Sequence, residues 1–166
     1  MVLYFAIVGR NDSPLYQSHL TVPRRATPAT SPPAAASSRD DLLSFILHAS
    51  LDAVDHKIWT TTHAYLHQVD KFNDIIVSAY VTAGNIKLLL LHDSQLMMQQ
   101  AVNPNSSRHH HTQQQLDDSH IRQFFESIYE LYVVYLLHPF HSAQAVIEDK
   151  LFDTKVKQTA VKFLAR

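Results

Sequence analysis

The chain has 166 residues, of which 46% are hydrophobic and 17% are charged, and its formal net charge is −1. This length suffices for one domain with a buried core, and the balanced charge argues against a nucleic-acid-binding protein, which usually carries a basic patch. Because the sequence contains no cysteine, disulfides and thiolate metal sites are excluded. No apolar run reaches the roughly 18 to 20 residues that a transmembrane helix needs.

The first third of the chain predicts a β-hairpin followed by a helix. Val2–Val8 is apolar at every position, so a strand there would be buried on both faces of a sheet. A turn over Gly9–Pro14 leads to a half-polar return strand at Leu15–Leu20. A helix is then predicted from Asp40 to about Val54. Its main apolar stripe at helical spacing is Leu42, Ile46, Ala49 and Ala53, widened by Leu43, Leu47, Leu51 and Val54.

The stretch from Tyr65 to His92 predicts a three-stranded meander. Turn signals at Asp70–Asp74 and Thr82–Asn85 divide it into three extended runs. The second run, Ile75–Val81, and the third, Ile86–His92, are apolar on both alternating faces, whereas the first run is half polar. Strands that are apolar on both faces must be covered on both faces. We therefore expect the helices of the chain to pack on the two sides of this sheet.

Two further helices and two polar insertions complete the predicted order of elements. A helix with a strong one-sided apolar stripe is predicted from about Asp117 to Leu137, ending before Pro139, and a last helix runs from Leu151 to Leu164. The polar segments at about residues 21–39 and 94–116 contain few large apolar side chains. We expect them to be mobile insertions in a single domain that spans residues 1–166.

The order of elements, β-β-α-β-β-β-α-α, limits the topology of the sheet. Strands that are apolar on both faces belong in the centre, and half-polar strands belong at the edges. Joining the hairpin to the meander through the first and fifth strands gives the spatial order 2-1-5-4-3. The first helix would then cover one face and the last two helices the other. The sequence thus predicts an α+β domain of three layers, α/β/α.

The sequence contains no recognisable catalytic or cofactor-binding motif. It has neither a G-x-S-x-G motif nor a cysteine nucleophile. Its two glycines, Gly9 and Gly84, cannot form a P-loop or a dinucleotide fingerprint. Gly84, which precedes Asn85, is expected to supply the permissive backbone of a turn. We therefore predict that the protein is not an enzyme and binds no cofactor.

The twelve histidines raise the question of a metal site. The run His109–His111 lies in a polar segment, where neighbouring imidazoles can scavenge metal but lack fixed geometry and supporting contacts. His63 and His67 are placed on a strand at the edge of the sheet, exposed to solvent. No metal site is predicted.

Short blocks of sequence, in order along nearly the whole chain, resemble the sedlin family of longin-fold, profilin-like subunits of the TRAPP vesicle-tethering complex. The two polar insertions are longer than the usual loops of that family. The blocks that carry the resemblance are Phe-Ala-Ile-Val-Gly at 5–9, the segment 45–55 followed by Trp59, Val-Asp-Lys-Phe-Asn at 69–73, Val-Ser-Ala-Tyr-Val-Thr-Ala-Gly at 77–84, Leu-Leu-His-Asp at 90–93, Ile-Arg-Gln-Phe-Phe at 121–125, Tyr132, Pro139-Phe140 and Phe-Asp-Thr-Lys-Val at 152–156.

The resemblance implies a non-catalytic adaptor that joins neighbouring subunits of a hetero-oligomer. The assembly would tether vesicles and activate a Rab-type GTPase in transport between endoplasmic reticulum and Golgi. The subunit would be cytoplasmic and peripheral at those membranes, with only indirect contact with the GTPase and the bilayer. The alternative is the regulatory longin domain of a SNARE-type fusion protein. Such a protein needs a long heptad segment after the domain, whereas this sequence ends at Arg166.

The resemblance also indicates where partners bind, because the family uses the region of the first helix in subunit contacts. Asp52 and Asp55 are expected in the last turn of that helix, where a carboxylate costs about 0.3 to 1 kcal/mol against the helix dipole. A solvated acid, or one bonded to a backbone amide in the following turn, is the alternative. The predicted interface residues are Asp52, Asp55, Trp59, Pro139 and Phe140.

Overall fold

The order of secondary-structure elements is the predicted one. A computed structural model describes residues 3–20, 34–93, 110–142 and 144–164. Within these ranges, the strands are β1 (Leu3–Val8), β2 (Pro14–His19), β3 (Tyr65–Phe72), β4 (Ile75–Val81) and β5 (Lys87–Asp93), and the helices are α1 (Ala34–Ile58), α2 (His110–Leu136) and α3 (Lys150–Leu164). None of the helices in the described ranges combines the length and the apolar character that crossing a bilayer requires.

The five strands form one antiparallel sheet in the order β2-β1-β5-β4-β3, which confirms the predicted topology. The central contact joins the hairpin to the meander, with Leu3 opposite His92 and Val8 opposite Lys87. Strands β1, β4 and β5 are buried along nearly their whole length, while β2 and β3 at the edges carry exposed positions. The distribution of apolar residues in the sequence therefore indicates whether each strand lies at the centre or at an edge of the sheet.

Two hydrophobic cores lie on opposite faces of the sheet. Alternate residues of β1 and β5, such as Phe5 and Leu88, pack against α2 and α3. Their neighbours, such as Ala6 and Leu89, pack against α1. The last two helices thus share one face and the first helix covers the other, which confirms the three-layer α/β/α architecture.

Two helices begin earlier than predicted. Helix α1 runs from Ala34 to Ile58 rather than from Asp40 to Val54, and α2 begins at His110 rather than near Asp117. The polar composition of these segments favours a loop, but alanine and glutamine are good helix formers. Residues 34–39 and 110–116 are therefore helical rather than part of mobile insertions. The remaining parts of the two insertions lie outside the described residues, and their mobility stays a prediction.

The buried face of α1 differs from the predicted main stripe. Leu42 and Ala49 are exposed. The hydroxyl of Ser50 donates to the Leu47 carbonyl at 2.7 Å, so this polar residue can lie in the buried face. Two apolar sets interleave on α1, and only packing against the sheet decides between them. The residues that face the sheet are Leu43, Ile46, Leu47, Ser50, Leu51 and Val54.

The turn between β4 and β5 does not depend on Gly84 in the way that was predicted. The residue with a left-handed backbone is Asn85, whose φ is 56°, and Gly84 has no positive φ. Asparagine tolerates this conformation better than most residues because its short polar side chain can hydrogen-bond locally. The side chain of Thr82 closes the turn, since its hydroxyl oxygen accepts a bond from the amide of Ile86 at 3.0 Å.

A carboxylate on α3 ties this helix to the edge strand β2. Asp153 accepts hydrogen bonds from the hydroxyls of Tyr16 at 2.8 Å and Ser18 at 3.3 Å, and from the Lys157 ammonium at 2.7 Å. The Lys157 ammonium lowers the pKa of the Asp153 carboxyl from its ordinary value of 3.8; partial burial opposes this effect, and the Tyr16 hydroxyl adds to it.

This lowered pKa predicts acid sensitivity at the β2–α3 contact. Because the pKa of Asp153 is lower in the folded state than in the unfolded state, its contribution to stability is complete above about pH 4 and is lost as the pH falls. We expect Asp153→Asn to lower the melting temperature at neutral pH and to flatten its decline in acid. Melting curves of the wild type and the variant between about pH 7 and pH 2.5 measure this. Asp52→Asn, an exposed position on α1, is the control. Parallel curves for the wild type and Asp153→Asn would contradict the prediction.

Candidate functional site

The outer face of α1 carries an exposed row of four apolar and two polar side chains, here called the α1 surface. It consists of Leu42, Phe45, Ala49, Asp52 and His56, together with Trp59 directly after the helix. Spacings of three and four residues place these side chains in one row, opposite the buried face. Phe45 is 65% exposed and Trp59 is 89% exposed. Large exposed aromatic side chains in one row are typical of a protein-binding surface.

Asp52 lies within the α1 surface, but it is not in the last turn of the helix as expected. Helix α1 continues to Ile58, and its last turn contains His56 and Lys57. Asp52 is therefore more than one turn away from the negative end of the helix, and the expected dipole penalty does not apply to it. Its side chain is exposed and lies in the row between Ala49 and His56. The assignment of Asp52 to a partner interface stays a prediction.

Asp55 has a partner inside the chain. Its carboxylate lies 2.7 Å from the Nζ atom of Lys87, which is also 2.8 Å from the carboxylate of Asp12. The Lys87 side chain is only 2% exposed. Burial would lower the pKa of Lys87, but the hydrogen bonds that its ammonium donates to Asp12 and Asp55 outweigh this effect and raise the pKa above its ordinary value. The ammonium therefore stays charged and joins the end of α1 to β5 and to the β1–β2 turn.

The sequence contains one signal for this cluster. Lys87 begins a strand whose next four residues are leucines, apolar on both faces, and a buried ammonium requires a carboxylate partner. The signal does not identify the partner, however. Asp12 is 75 positions away in the sequence. Its φ of 55° belongs to a tight turn that the sequence predicts only in outline.

A second exposed apolar area, here called the α2–α3 surface, lies on the opposite layer of the domain. It comprises Val134 and Leu137 near the end of α2, the adjoining Pro139 and Phe140, and Leu151 at the start of α3. Phe140 is 89% exposed, and Pro139 is also exposed. A groove of about 430 Å³ between the helices is lined by Val134, Leu151 and Tyr135. The predicted interface residues thus fall into two groups, one on each side of the sheet.

Aromatic stacking orders the segment that follows α2. The ring of His141 stacks on Tyr135 with the centroids 3.9 Å apart, and His138 lies 5.6 Å from Phe140. These contacts hold the segment against the end of α2 and leave the Phe140 side chain in solvent. The α2–α3 surface is therefore a formed feature of the described chain.

The predicted histidine positions are partly corrected. His63 lies in the loop before β3 rather than on a strand. His67 lies on β3 with a left-handed φ of 57°, and its Nδ1 atom is 2.8 Å from Asp118, whose other oxygen accepts a bond from Tyr65 at 2.7 Å. Among the described residues, no group of three or more histidine or acidic side chains could hold a metal ion. His109 and the side chains of His110 and His111 lie outside the described part.

The chain is similar to known proteins along nearly its whole length. A family profile described as Sedlin matches residues 7–162. A probable trafficking protein particle complex subunit 2 of Caenorhabditis elegans is 32% identical, over 98% of this chain and 96% of its own length. A transport protein particle 20 kDa subunit of Schizosaccharomyces pombe is 30% identical, over 99% and 100% of the two chains. A trafficking protein particle complex subunit 20 of Saccharomyces cerevisiae is 28% identical over both full lengths. The profile match over most of the chain and the relatives of 30% identity or more show that the chain belongs to the Sedlin family.

Proposed function

We propose that the protein is a non-catalytic adaptor subunit of a TRAPP-like vesicle-tethering complex. The observation that carries this proposal is the pair of exposed apolar surfaces on opposite layers of the domain, the α1 surface and the α2–α3 surface. The full-length similarity to proteins named as trafficking particle subunits supports it. Apolar patches of this kind on a folded domain mark sites of protein association.

The geometry favours two partners that are bound at the same time. The sheet and both hydrophobic cores separate the two surfaces, so a subunit on α1 would not compete sterically with one on α2 and α3. Each surface has at least one exposed aromatic side chain, Phe45 and Trp59 on one and Phe140 on the other, and aromatic side chains are enriched at protein interfaces. A rigid domain with two such surfaces fixes the relative position of its neighbours, and this is what an adaptor does.

The proposal extends to the process that the family serves. The complex would act with a Rab-type GTPase, as its exchange factor, in transport between endoplasmic reticulum and Golgi. The subunit would be cytoplasmic and peripheral at those membranes, and its contacts with the GTPase and the bilayer would pass through other subunits. We expect the isolated chain to show no catalysed nucleotide release from a Rab-type GTPase. Release by the purified chain alone would contradict the non-catalytic part of the proposal.

Asp52 provides the test of the α1 surface. Asp52→Asn keeps the size of the side chain and removes its charge. Because the carboxylate is exposed and distant from the end of the helix, we expect the free energy of unfolding to change by no more than about 0.5 kcal/mol. We expect co-purification with a neighbouring subunit to weaken, since a partner's cation would lose a charge-assisted hydrogen bond. Unchanged co-purification would remove Asp52 from the interface, and a large fall in melting temperature would assign it to the fold.

The adaptor role itself is tested by disabling the surfaces separately. Phe45→Ser should release one set of subunits from the affinity-purified assembly, and Phe140→Ser should release a different set. Both side chains are largely exposed, so the melting temperature should change little. Phe72→Ser, at an exposed position on β3, serves as the matched control. If both variants lose the same subunits, or if neither variant loses any, the two surfaces do not bind separate partners and the adaptor role is contradicted.

A further inference from the structure

The two edges of the sheet are protected very differently. On β3, the register shifts between Tyr65 and Gln68 and again between Gln68 and Asp70. The Lys57 ammonium also donates a bond of 2.6 Å to the carbonyl of Gln68. Bulges and bonded side chains prevent an edge strand from pairing with another chain. The β3 edge is therefore closed to a further strand.

Between Tyr16 and His19 the β2 edge has no register shift, and the described side chains make one contact with an outward carbonyl there, a long one of 3.5 Å from the Ser18 hydroxyl to the carbonyl of His19. The pairing with β1 is regular over this stretch, and the amide of Leu20 donates to the carbonyl of Leu3 at 2.9 Å. In an antiparallel pair the bonded positions alternate, so the backbones of Gln17 and His19 point away from β1. Within the described ranges, the one backbone bond to the outer side of β2 is that from the Ile147 amide to the Leu15 carbonyl, at 2.8 Å.

A groove runs beside this open edge. It has a volume of about 500 Å³ and lies between β2 and the segment that leads into α3. Three carboxylates line it, at Glu148, Asp149 and Asp153, against the single cation of Lys150. Asp149 caps α3 by accepting the amide of Leu151 at 2.8 Å, and Asp153 is paired with Lys157. Glu148 is exposed and makes no ion pair with the described residues, so its charge is available to a partner.

We propose that the β2 edge binds an extended peptide segment of a partner protein by strand addition, with a basic side chain of the segment against Glu148. Main-chain bonds to Gln17 and His19 would supply the affinity, and the groove would select the side chains of the segment. A helix could not satisfy backbone groups that are arranged at strand spacing. This proposal concerns a third surface and does not depend on the two surfaces of the adaptor.

The first test uses short peptides of alternating valine and threonine with one lysine, which is placed at each position in turn. Amide hydrogen exchange of the full chain is followed by NMR with and without each peptide. We expect at least one peptide to slow exchange at Gln17 and His19, because their outward amides acquire acceptors. The same peptide with N-methyl groups at alternate positions should have no effect, since it cannot pair. Absence of protection with every lysine position, or protection confined to β3, would overturn the proposal.

The second test changes the protein. Gln17→Pro removes the outward amide at an edge position that tolerates proline, so we expect peptide binding to be lost. Gln17→Ala retains the amide and should retain binding. Glu148→Lys should weaken binding several-fold and should reverse the preference from lysine-containing to glutamate-containing peptides. Melting curves confirm that each variant is folded. The proposal is wrong if Gln17→Pro binds the peptide normally or if Glu148→Lys leaves the preference for lysine unchanged. If Gln17→Pro does not fold, the N-methylated peptide and the Glu148→Lys variant decide the question instead.

Discussion

Replacing both carboxylates around Lys87, in the double variant Asp12→Asn/Asp55→Asn, should lower the free energy of unfolding by about 3 to 5 kcal/mol at neutral pH. The Lys87 side chain is 2% exposed and lies within 2.8 Å of both acids. Without them, a buried ammonium would have no counter-charge. Asparagine preserves the shape of both side chains and tolerates the left-handed backbone at Asp12. The loss of stability in the double variant therefore measures the effect of removing the charges and not a change in packing.

Each single variant should cost much less than half of this loss. After Asp12→Asn or Asp55→Asn, the other carboxylate still neutralises Lys87, so about 1 kcal/mol is expected. The double variant should therefore be strongly non-additive in a mutant cycle measured by urea unfolding. If the losses in free energy of unfolding of the two single variants simply added up to that of the double variant, the two acids would act independently and would not replace each other as partners of Lys87.

The pH dependence provides an independent check on the double variant. In the wild type, the raised pKa of Lys87 means that its stabilising contribution is present below the ordinary pKa of 10.5 and is lost only as the pH rises through the higher folded value. In the double variant, burial alone would act and lower that pKa. The stability of the variant should therefore rise relative to wild type between about pH 7 and pH 10. A constant difference across this range would contradict the assignment.

Phe125→Ala is the other change with a large expected effect, about 3 to 5 kcal/mol of lost stability. Phe125 is fully buried, and its ring packs against those of Phe5, Phe124, Tyr65 and Tyr80 at centroid distances of 5.8 to 6.5 Å. These rings come from β1, α2, β3 and β4. Truncation would leave a cavity at the contact of one helix with three strands, and such a rigid cluster collapses only partly around it.

Denaturant unfolding of matched variants measures this loss. Phe125→Leu fills much of the space and should cost far less than alanine. Phe72→Ala, at a 41% exposed position on β3, removes the same ring outside the core and should cost less than about 1 kcal/mol. If Phe125→Ala were as mild as Phe72→Ala, the aromatic cluster would not be the central contact of the α2 layer.

The distribution of apolar residues was sufficient to predict the architecture. A strand that is buried on both faces must be apolar at every position, so β1, β4 and β5 were recognisable as central and β2 and β3 as edges. The order 2-1-5-4-3 follows from that sorting and from the short hairpin connections. The one-sided stripe of α2 was equally clear, since Ile121, Phe124, Phe125 and Ile128 are all buried. These features depend only on the spacing of apolar residues along each element, and this spacing can be read directly from the sequence.

The candidate surfaces and their supports were decided by tertiary structure. Residues 42–54 of α1 contain two overlapping apolar stripes, and only contact with the sheet determines that Leu43 and Ile46 are buried while Phe45 and Leu42 are exposed. The role of Asp55 depends on Lys87, and that of Lys87 on Asp12, through contacts between distant positions in the chain. Local sequence determines which residues can be buried or charged, but side-chain partners and exposed faces depend on which segments meet in the folded chain.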